Sequence, residues 1–361
     1  MSARADVLRS RSRFSLALLG AIAFFVVAGV AAAAWLRVET AVRGPLGFDF
    51  QTVWNADHAL LFGAAGHLSV WSPYPLPAQL LFLPFGLLPM PAAQVAGALL
   101  TLLFLSLALV LHEEAPGLAL RRALPLLLSL PVFDDVQDTH ALPALALLAL
   151  VLAIRFREQE KAWLLGLVAA IALLTRPINA APVLIVCLWG LPARQLLRAG
   201  LAALLTLAPL VLAAFLVDPA WPQQYGDALR AYGSSGLYRL IATAGGFSLV
   251  ALLVLALGAA GAAGVARGWN RRDLAALVMA AAVVLQPTNG VYTGIFALPA
   301  LARAARREAW WPWAASGIAW AVTLGLSPWL GPGRPIGVGL LSLLAYWFVF
   351  QAYPLLRPSR A

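Results

Sequence analysis

Residues 48 to 91 read FDFQTVWNADHALLFGAAGHLSVWSPYPLPAQLLFLPFGLLPMP. An acidic residue, Asp49, stands just after the first long apolar run of the chain. Aromatics, two histidines, a Pro-rich turn and a second apolar stretch follow it. The pattern is that of a chain leaving a bilayer, forming a helical polar loop, and heading back. The 77–89 segment is too short to cross ~30 Å of hydrocarbon and reads as a re-entrant or interfacial helix. The rest of the sequence consists of apolar runs with short polar joints.

Composition agrees. Of 361 residues, 62% are hydrophobic and 11% charged. Soluble domains carry about 25% charged residues. The shortage, together with the long apolar runs, makes this an all-α polytopic membrane protein. Spans are expected near 14–36, 92–111, 122–133, 141–155, 162–175, 180–192, 199–217, 246–266, 273–287, 290–305, 309–329 and 338–356, about twelve by the length criterion. The first is an uncleaved anchor rather than a signal peptide. The single cysteine, Cys187, excludes a disulfide framework within one chain. The chain is expected to form a single integral membrane domain over 1–361, with longer loops at 37–91 and 218–245.

Charge orients these spans. Of the 25 basic residues, all but Arg37, Arg43, Arg176, Arg230, Arg239 and Arg334 fall on one side of the expected bilayer. Basic loops stay cytoplasmic, so both termini are expected inside. Asp49, Asp57, Asp134, Asp135, Asp138, Asp218 and Asp227 fall on the other side. Carboxylates on the basic side, such as Glu158 and Asp273, read as members of solvated ionic loops. The aspartates place an active site on the extracytoplasmic face.

The sequence holds no GxxxxGK[ST], GxGxxG after a strand, HExxH or GxSxG. Nucleotide hydrolysis, Rossmann cofactors, zinc peptidase and serine hydrolase chemistry therefore lack support. His58, His67, His112 and His140 are too scattered to nominate a metal site. A carboxylate at a membrane boundary can still act as a general base.

The ordered set Asp49-Phe50, Trp54, Ala56, Leu60-Leu61-Phe62-Gly63, Tyr74-Pro75-Leu76-Pro77 and Pro84-Phe85-Gly86-Leu87-Leu88-Pro89 resembles glycosyltransferase family 87. Val136-Gln137, Thr175-Arg176-Pro177 and Gln286-Pro287 extend the resemblance along the chain. Three positions depart from the pattern. Tyr-Pro-Pro has become Tyr-Pro-Leu-Pro, the glycine before Gln137 is absent, and no histidine follows Gln286-Pro287.

The resemblance implies a GT-C type bundle with a helical first extracytoplasmic loop. It implies transfer of a sugar, with mannose first and arabinofuranose as the alternative, from a polyprenyl-phosphate donor. The acceptor is a glycolipid or glycan outside the plasma membrane, and neither metal nor cofactor is called for. Asp49 is the implied base and Arg176 the partner of the lipid phosphate. Gln137, Tyr74, Asp57 and His140 are candidate donor contacts, with Asp57 a solvated or hydrogen-bonded helper to Asp49. Tyr225, Tyr232 and Tyr238 are placed along an acceptor groove. Two rivals predict different features. A transporter or lipid flippase needs ionisable groups deep in a span or a broken-helix repeat, and an inactive scaffold of the same fold needs nothing of Asp49.

Overall fold

The computed structural model of the protein describes residues 48–62, 74–112, 126–127, 132, 135–136, 141–232, 244–283 and 291–304. Among the described residues every regular element is helical. In chain order they are α1 Phe48–Phe62, α2 Leu76–Gln79, a 3₁₀ turn Leu83–Leu87, α3 Met90–His112, α4 Ala141–Glu158, α5 Ala162–Thr175, α6 Pro177–Leu188, α7 Ala193–Val217, α8 Trp221–Tyr232, α9 Ala244–Ala266, α10 Arg271–Ala282, a second 3₁₀ turn Val291–Ala297, and α11 Leu298–Ala304. Expected spans at 14–36, 122–133, 309–329 and 338–356 lie wholly or largely outside the described residues. The 77–89 segment is two short turns and not a span, as its length required.

Three helices, Met90–His112, Ala193–Val217 and Leu249–Ala266, are long and apolar enough to cross a bilayer. Their faces show what solvates them. Helix α3 turns Ala93, Gly97, Thr101, Leu105 and Ala108 inward, while Val95, Leu99, Leu103 and Leu107 stand exposed. Both stripes repeat every fourth residue or close to it, so they lie on opposite faces. Helix α7 is more extreme. Its buried residues are Ala199, Ala202 and Ala214, and its exposed ones include Leu197, Leu204, Leu212 and Leu216. Small residues inward and large apolar residues outward is the pattern of helices packed within lipid, where close backbone approach drives association.

Helix α4 is the axis. Nearly its whole circumference is buried, from Ala141 through Ile154, as an apolar helix must be when others surround it. Helices α3, α5 and α6 pack directly on it. Around this centre the contacts are tight at glycines. A Cβ on Gly166 of α5 would overlap the carbonyl oxygen of Ala199 and lie 2.8 Å from the Ala202 Cβ on α7. Gly258 of α9 faces Ile185 of α6, and Gly264 faces Leu274 of α10.

One end of the bundle is bound by arginines. Arg155 Nη1 donates to the Leu111 carbonyl at the end of α3, at 2.9 Å. Arg157 Nε donates to the Cys187 carbonyl at the end of α6, at 3.0 Å, and Arg271 Nη2 to the Trp189 carbonyl, also at 3.0 Å. Cations suit these positions because the last carbonyls of a helix lack intrahelical partners and carry its negative dipole end. Arg272 Nε donates to both Glu158 carboxylate oxygens, at 2.7 and 2.9 Å, and Arg303 pairs with Asp273. Glu158 is exposed, as expected of a solvated ionic loop, whereas the Asp273–Arg303 pair corrects that expectation. The Arg303 side chain is only 6% exposed and that of Asp273 16%.

Helix lengths agree with expectation near this end and differ where proline intervenes. The predicted span 180–192 starts instead at Pro177, which is tolerated in a first turn, and stops at Leu188 before Gly190, whose φ is +71°. The predicted span 290–305 begins as a 3₁₀ turn and becomes α-helical only at Leu298.

Gly166→Ala is expected to lower thermal stability in detergent by about 1–3 kcal/mol through overpacking against backbone. Gly200→Ala on α7, where a Cβ meets nothing within 4 Å, should be neutral or slightly stabilising. Thermal unfolding followed by fluorescence would check the pair, and equal effects would contradict the assigned α5–α7 contact.

Candidate functional site

The end of the bundle opposite the arginines carries Asp57, Tyr74, Arg176 and the helix bearing Asp49. Helix α3 begins there, since it finishes at the Arg155 contact. The clasp formed by α1 and the Leu83–Leu87 turn therefore lies at that end.

The clasp is built from the Pro84-Phe85-Gly86-Leu87-Leu88-Pro89 motif. Pro84 sits in the first positions of the 3₁₀ turn and Leu88 leaves it in an extended conformation. Trp54 Nε1 donates to the Leu88 carbonyl at 3.1 Å, and His58 Nδ1 lies 2.9 Å from the Gly86 carbonyl. Phe50 meets Phe85 edge-on with centroids 6.1 Å apart. Trp54, His58 and Phe62 stack at intervals of four residues, each neighbouring pair 4.6 Å apart. Gly86 is obligatory here for space. A Cβ would lie 2.8 Å from the Asp57 carbonyl carbon and 2.9 Å from the His58 nitrogen, both backbone atoms that cannot swing aside.

Asp57 sits under this contact. It is fully buried, and among the described residues neither carboxylate oxygen has a hydrogen-bond partner. The reading of Asp57 as a solvated or hydrogen-bonded helper is therefore corrected. The physical reason is periodic: Phe50, Val53 and Asp57 are spaced i, i+3, i+7, so Asp57 occupies the apolar stripe that α1 turns inward. No charged residue stands in Leu83–Leu87 or in the first turns of α3 to offset it. Burial alone pushes the Asp57 carboxyl up to about 8, as desolvation does to any carboxylate. Asp49 lies in the first turn of α1, eight residues and about 12 Å of helix rise from Asp57.

Arg176 is fixed by its own sequence. The residue before a proline is driven out of the α region, and Arg176 has φ −147° and ψ 70° between α5 and Pro177 of α6. Its amide still caps α5 on the Ala172 carbonyl, and its carbonyl accepts from Ala180. Thr175 bonds back to the Ile171 carbonyl at 2.8 Å, which closes the helix end. The Arg176 guanidinium lies over the Tyr74 ring, 5.4 Å from its centroid, within cation–π range. Tyr74 is itself buried and its segment is stiffened by Gln79 Nε2 donating to the Tyr74 carbonyl. Two residues widely separated in sequence are thus brought into contact.

Tyr225 of α8 is a third member. Burial raises its phenol above the usual range, and the nearby Arg176 charge pulls in the other direction. Asn179, one turn beyond Arg176, is fully buried. The sequence reading missed Asn179, although its i+3 spacing from Arg176 put it on the same face. Gln137 and His140 lie outside the described residues. Among the described residues no group of three metal-ligating side chains comes together.

A helical protein with apolar outward faces, an arginine-capped end and an arginine–tyrosine contact at the other end is a membrane protein. The model of glycosyltransferase family 87 matches residues 71–291. The match covers more than half of the chain, and the chain belongs to this family. It includes Tyr74, Arg176 and Tyr225, and it begins after Asp49 and Asp57. No curated protein and no solved structure matches the chain.

A carboxyl whose pKa is raised on folding weakens stability as pH rises. The unfolded Asp57 ionises near the ordinary carboxylate value of 3.8, the folded one near 8. Its ionisation therefore adds no penalty below pH ~4 and an increasing one up to pH ~8, levelling beyond. Asp57→Asn should raise the unfolding temperature more at pH 8 than at pH 5. A gain that is equal at both, or larger at pH 5, would show that Asp57 is not buried uncompensated.

Proposed function

We propose that this family 87 chain is an inverting glycosyltransferase that takes a sugar, mannose first, from a polyprenyl-phosphate donor and passes it to an extracytoplasmic glycolipid or glycan. The observation that carries the proposal is Arg176 held over Tyr74 at the end of the bundle opposite the arginine caps. A guanidinium fork suits phosphate oxygens, and the aromatic ring fixes it without neutralising its charge.

In the proposed step the acceptor hydroxyl oxygen attacks the anomeric carbon. The bond from that carbon to the phosphate oxygen breaks, and its electron pair leaves with the phosphate. The hydroxyl proton goes to the Asp49 carboxylate. Arg176 stabilises the charge that develops on the leaving phosphate. No redox partner enters the balance. Tyr74, Gln137 and His140 contact the donor around this centre. Trp54, His58 and Phe50 hold the helix that carries Asp49 against the Leu83–Leu87 turn.

The topology proposed with this chemistry is a single GT-C type domain over 1–361 with about twelve spans. Both termini and the arginine-capped end face the cytoplasm of a plasma membrane, as the basic-loop bias requires. The Tyr74–Arg176 end faces out, where a polyprenyl-linked sugar and its acceptor meet.

The test is sugar transfer by purified protein in lipid, offered polyprenyl-phosphate-mannose or polyprenyl-phosphate-arabinose with membrane glycolipid as acceptor. Asp49→Asn should reduce transfer by roughly 100-fold or more, the usual scale of a lost general base, while the protein stays folded. Transfer with arabinose alone would change the donor sugar and keep the mechanism. Transfer unaffected by the substitution would remove Asp49 from the reaction.

A further inference from the structure

The cations at the arginine-capped end fall into two groups. Arg155, Arg157 and Arg271 are used on helix-end carbonyls, and Arg272 and Arg303 on carboxylates. Lys161, Arg194 and Arg198 at the same end stand exposed. Among the described residues no carboxylate pairs with any of the three. Even with Glu160 counted against its neighbour Lys161, two positive charges are left over. Nothing in the helix itself favours these two. Arg194 and Arg198 lie one turn apart at the start of α7, where like charges at i, i+4 repel and the helix dipole opposes a cation.

Helix packing gathers the three into one patch. Helices α5 and α7 both start at this end and touch at Gly166 and Ala199. Lys161 precedes Gly166 by five residues, and Arg194 precedes Ala199 by five, so these two cations are level. Arg198 stands about 6 Å further along α7. Trp163, in the first turn of α5, is 47% exposed beside them, and tryptophan is a side chain that settles at headgroup level.

The outward stripe of α7 sets the depth of the patch. From Arg194 and Arg198 the same face continues through Leu201, Leu205 and Leu212, all exposed and spaced by helical turns. Leu197 and Leu216 are 74% and 78% exposed. They are nineteen residues apart, about 28 Å of helix, which matches the ~30 Å hydrocarbon core of a bilayer. With the leucines immersed, Arg198 lies at the hydrocarbon boundary and Arg194 just beyond it, at the level of lipid phosphates.

We infer that Lys161, Arg194 and Arg198 form a docking site for the headgroup of an anionic phospholipid, whose acyl chains run along the leucine stripe of α7. Charge complementarity and depth select this occupant. A second copy of the chain does not suit the patch, because a two-fold contact would set the same cations against each other. The inference goes beyond sugar transfer and does not depend on it, nor on which leaflet this end faces.

Native mass spectrometry of the full-length protein, released from micelles doped equally with phosphatidylglycerol and phosphatidylcholine of matched chains, tests this. Wild type should retain phosphatidylglycerol well above phosphatidylcholine. Arg194→Gln/Arg198→Gln should lower that preference roughly 25-fold, about fivefold for each cation removed near a lipid surface. Arg194→Lys/Arg198→Lys should keep most of it, since charge and not packing is at stake. Arg267→Gln, just after α9, which packs on α6 and α10, should change it little. Equal retention of the two lipids by wild type overturns the inference, as does an unchanged preference in the Gln double variant. An equal loss in Arg267→Gln assigns the preference to net charge and overturns a localised site. Release of the lipid by excess inorganic phosphate assigns the patch to a free anion, and dimers that the Gln double variant dissociates assign it to a second copy; either overturns the lipid.

Discussion

Arginine side chains on the final carbonyls of helices are the constraint from which the arrangement follows. In lipid, a backbone polar group without a partner costs several kcal/mol, so the ends of helices must be satisfied by protein or by water. Arg155 and Arg157 leave α4 to reach the ends of α3 and α6. Arg271 and Arg272 leave α10 to reach Trp189 and Glu158. Because α4 is buried on nearly all sides, fixing its end fixes the helices around it. The opposite end is then free to be chemically different.

That difference is expressed through two short connections. At one, Thr175-Arg176-Pro177 breaks a helical hairpin so that a guanidinium is left at the break. At the other, Gly86 allows the Leu83–Leu87 turn to lie directly on the α1 backbone. The first places a cation over Tyr74. The second holds the helix bearing Asp49 while burying Asp57 without a partner. An uncompensated buried carboxyl is a cost, and a fold retains one where the surrounding contacts over-determine the geometry. The Trp54 and His58 bonds on either side of Asp57 provide that determination.

Much of this was legible in the residues, and the exceptions have physical causes. Apolar run length marked 162–175 correctly, α3 to within two residues and the end of α7, because hydrocarbon thickness leaves a composition signal; it missed the start of α7 by six residues, where Arg194 and Arg198 interrupt the apolar run. The Phe50–Val53–Asp57 spacing also held the burial of Asp57, but an aspartate invites the assumption of solvent. The ion pairs Glu158–Arg272 and Asp273–Arg303 were hidden for another reason. Their partners are far apart in sequence, and only helix packing brings them together. Arg176 was conspicuous as a cation away from the other basic loops, whereas its partner Tyr74 lay about a hundred positions away.

The central claim is that one bundle presents two opposite ends, the arginine-capped end inward and the Tyr74–Arg176 end outward. The native thiol, Cys187, is buried, so single exposed cysteines can report the two ends against a silent background. Gln223 on α8 and Gln159 after α4 are both exposed. In intact cells a membrane-impermeant maleimide should label Gln223→Cys and spare Gln159→Cys until the membrane is opened. Labelling of Gln159→Cys in intact cells with Gln223→Cys protected would invert the protein, and the extracytoplasmic transfer reaction could not stand.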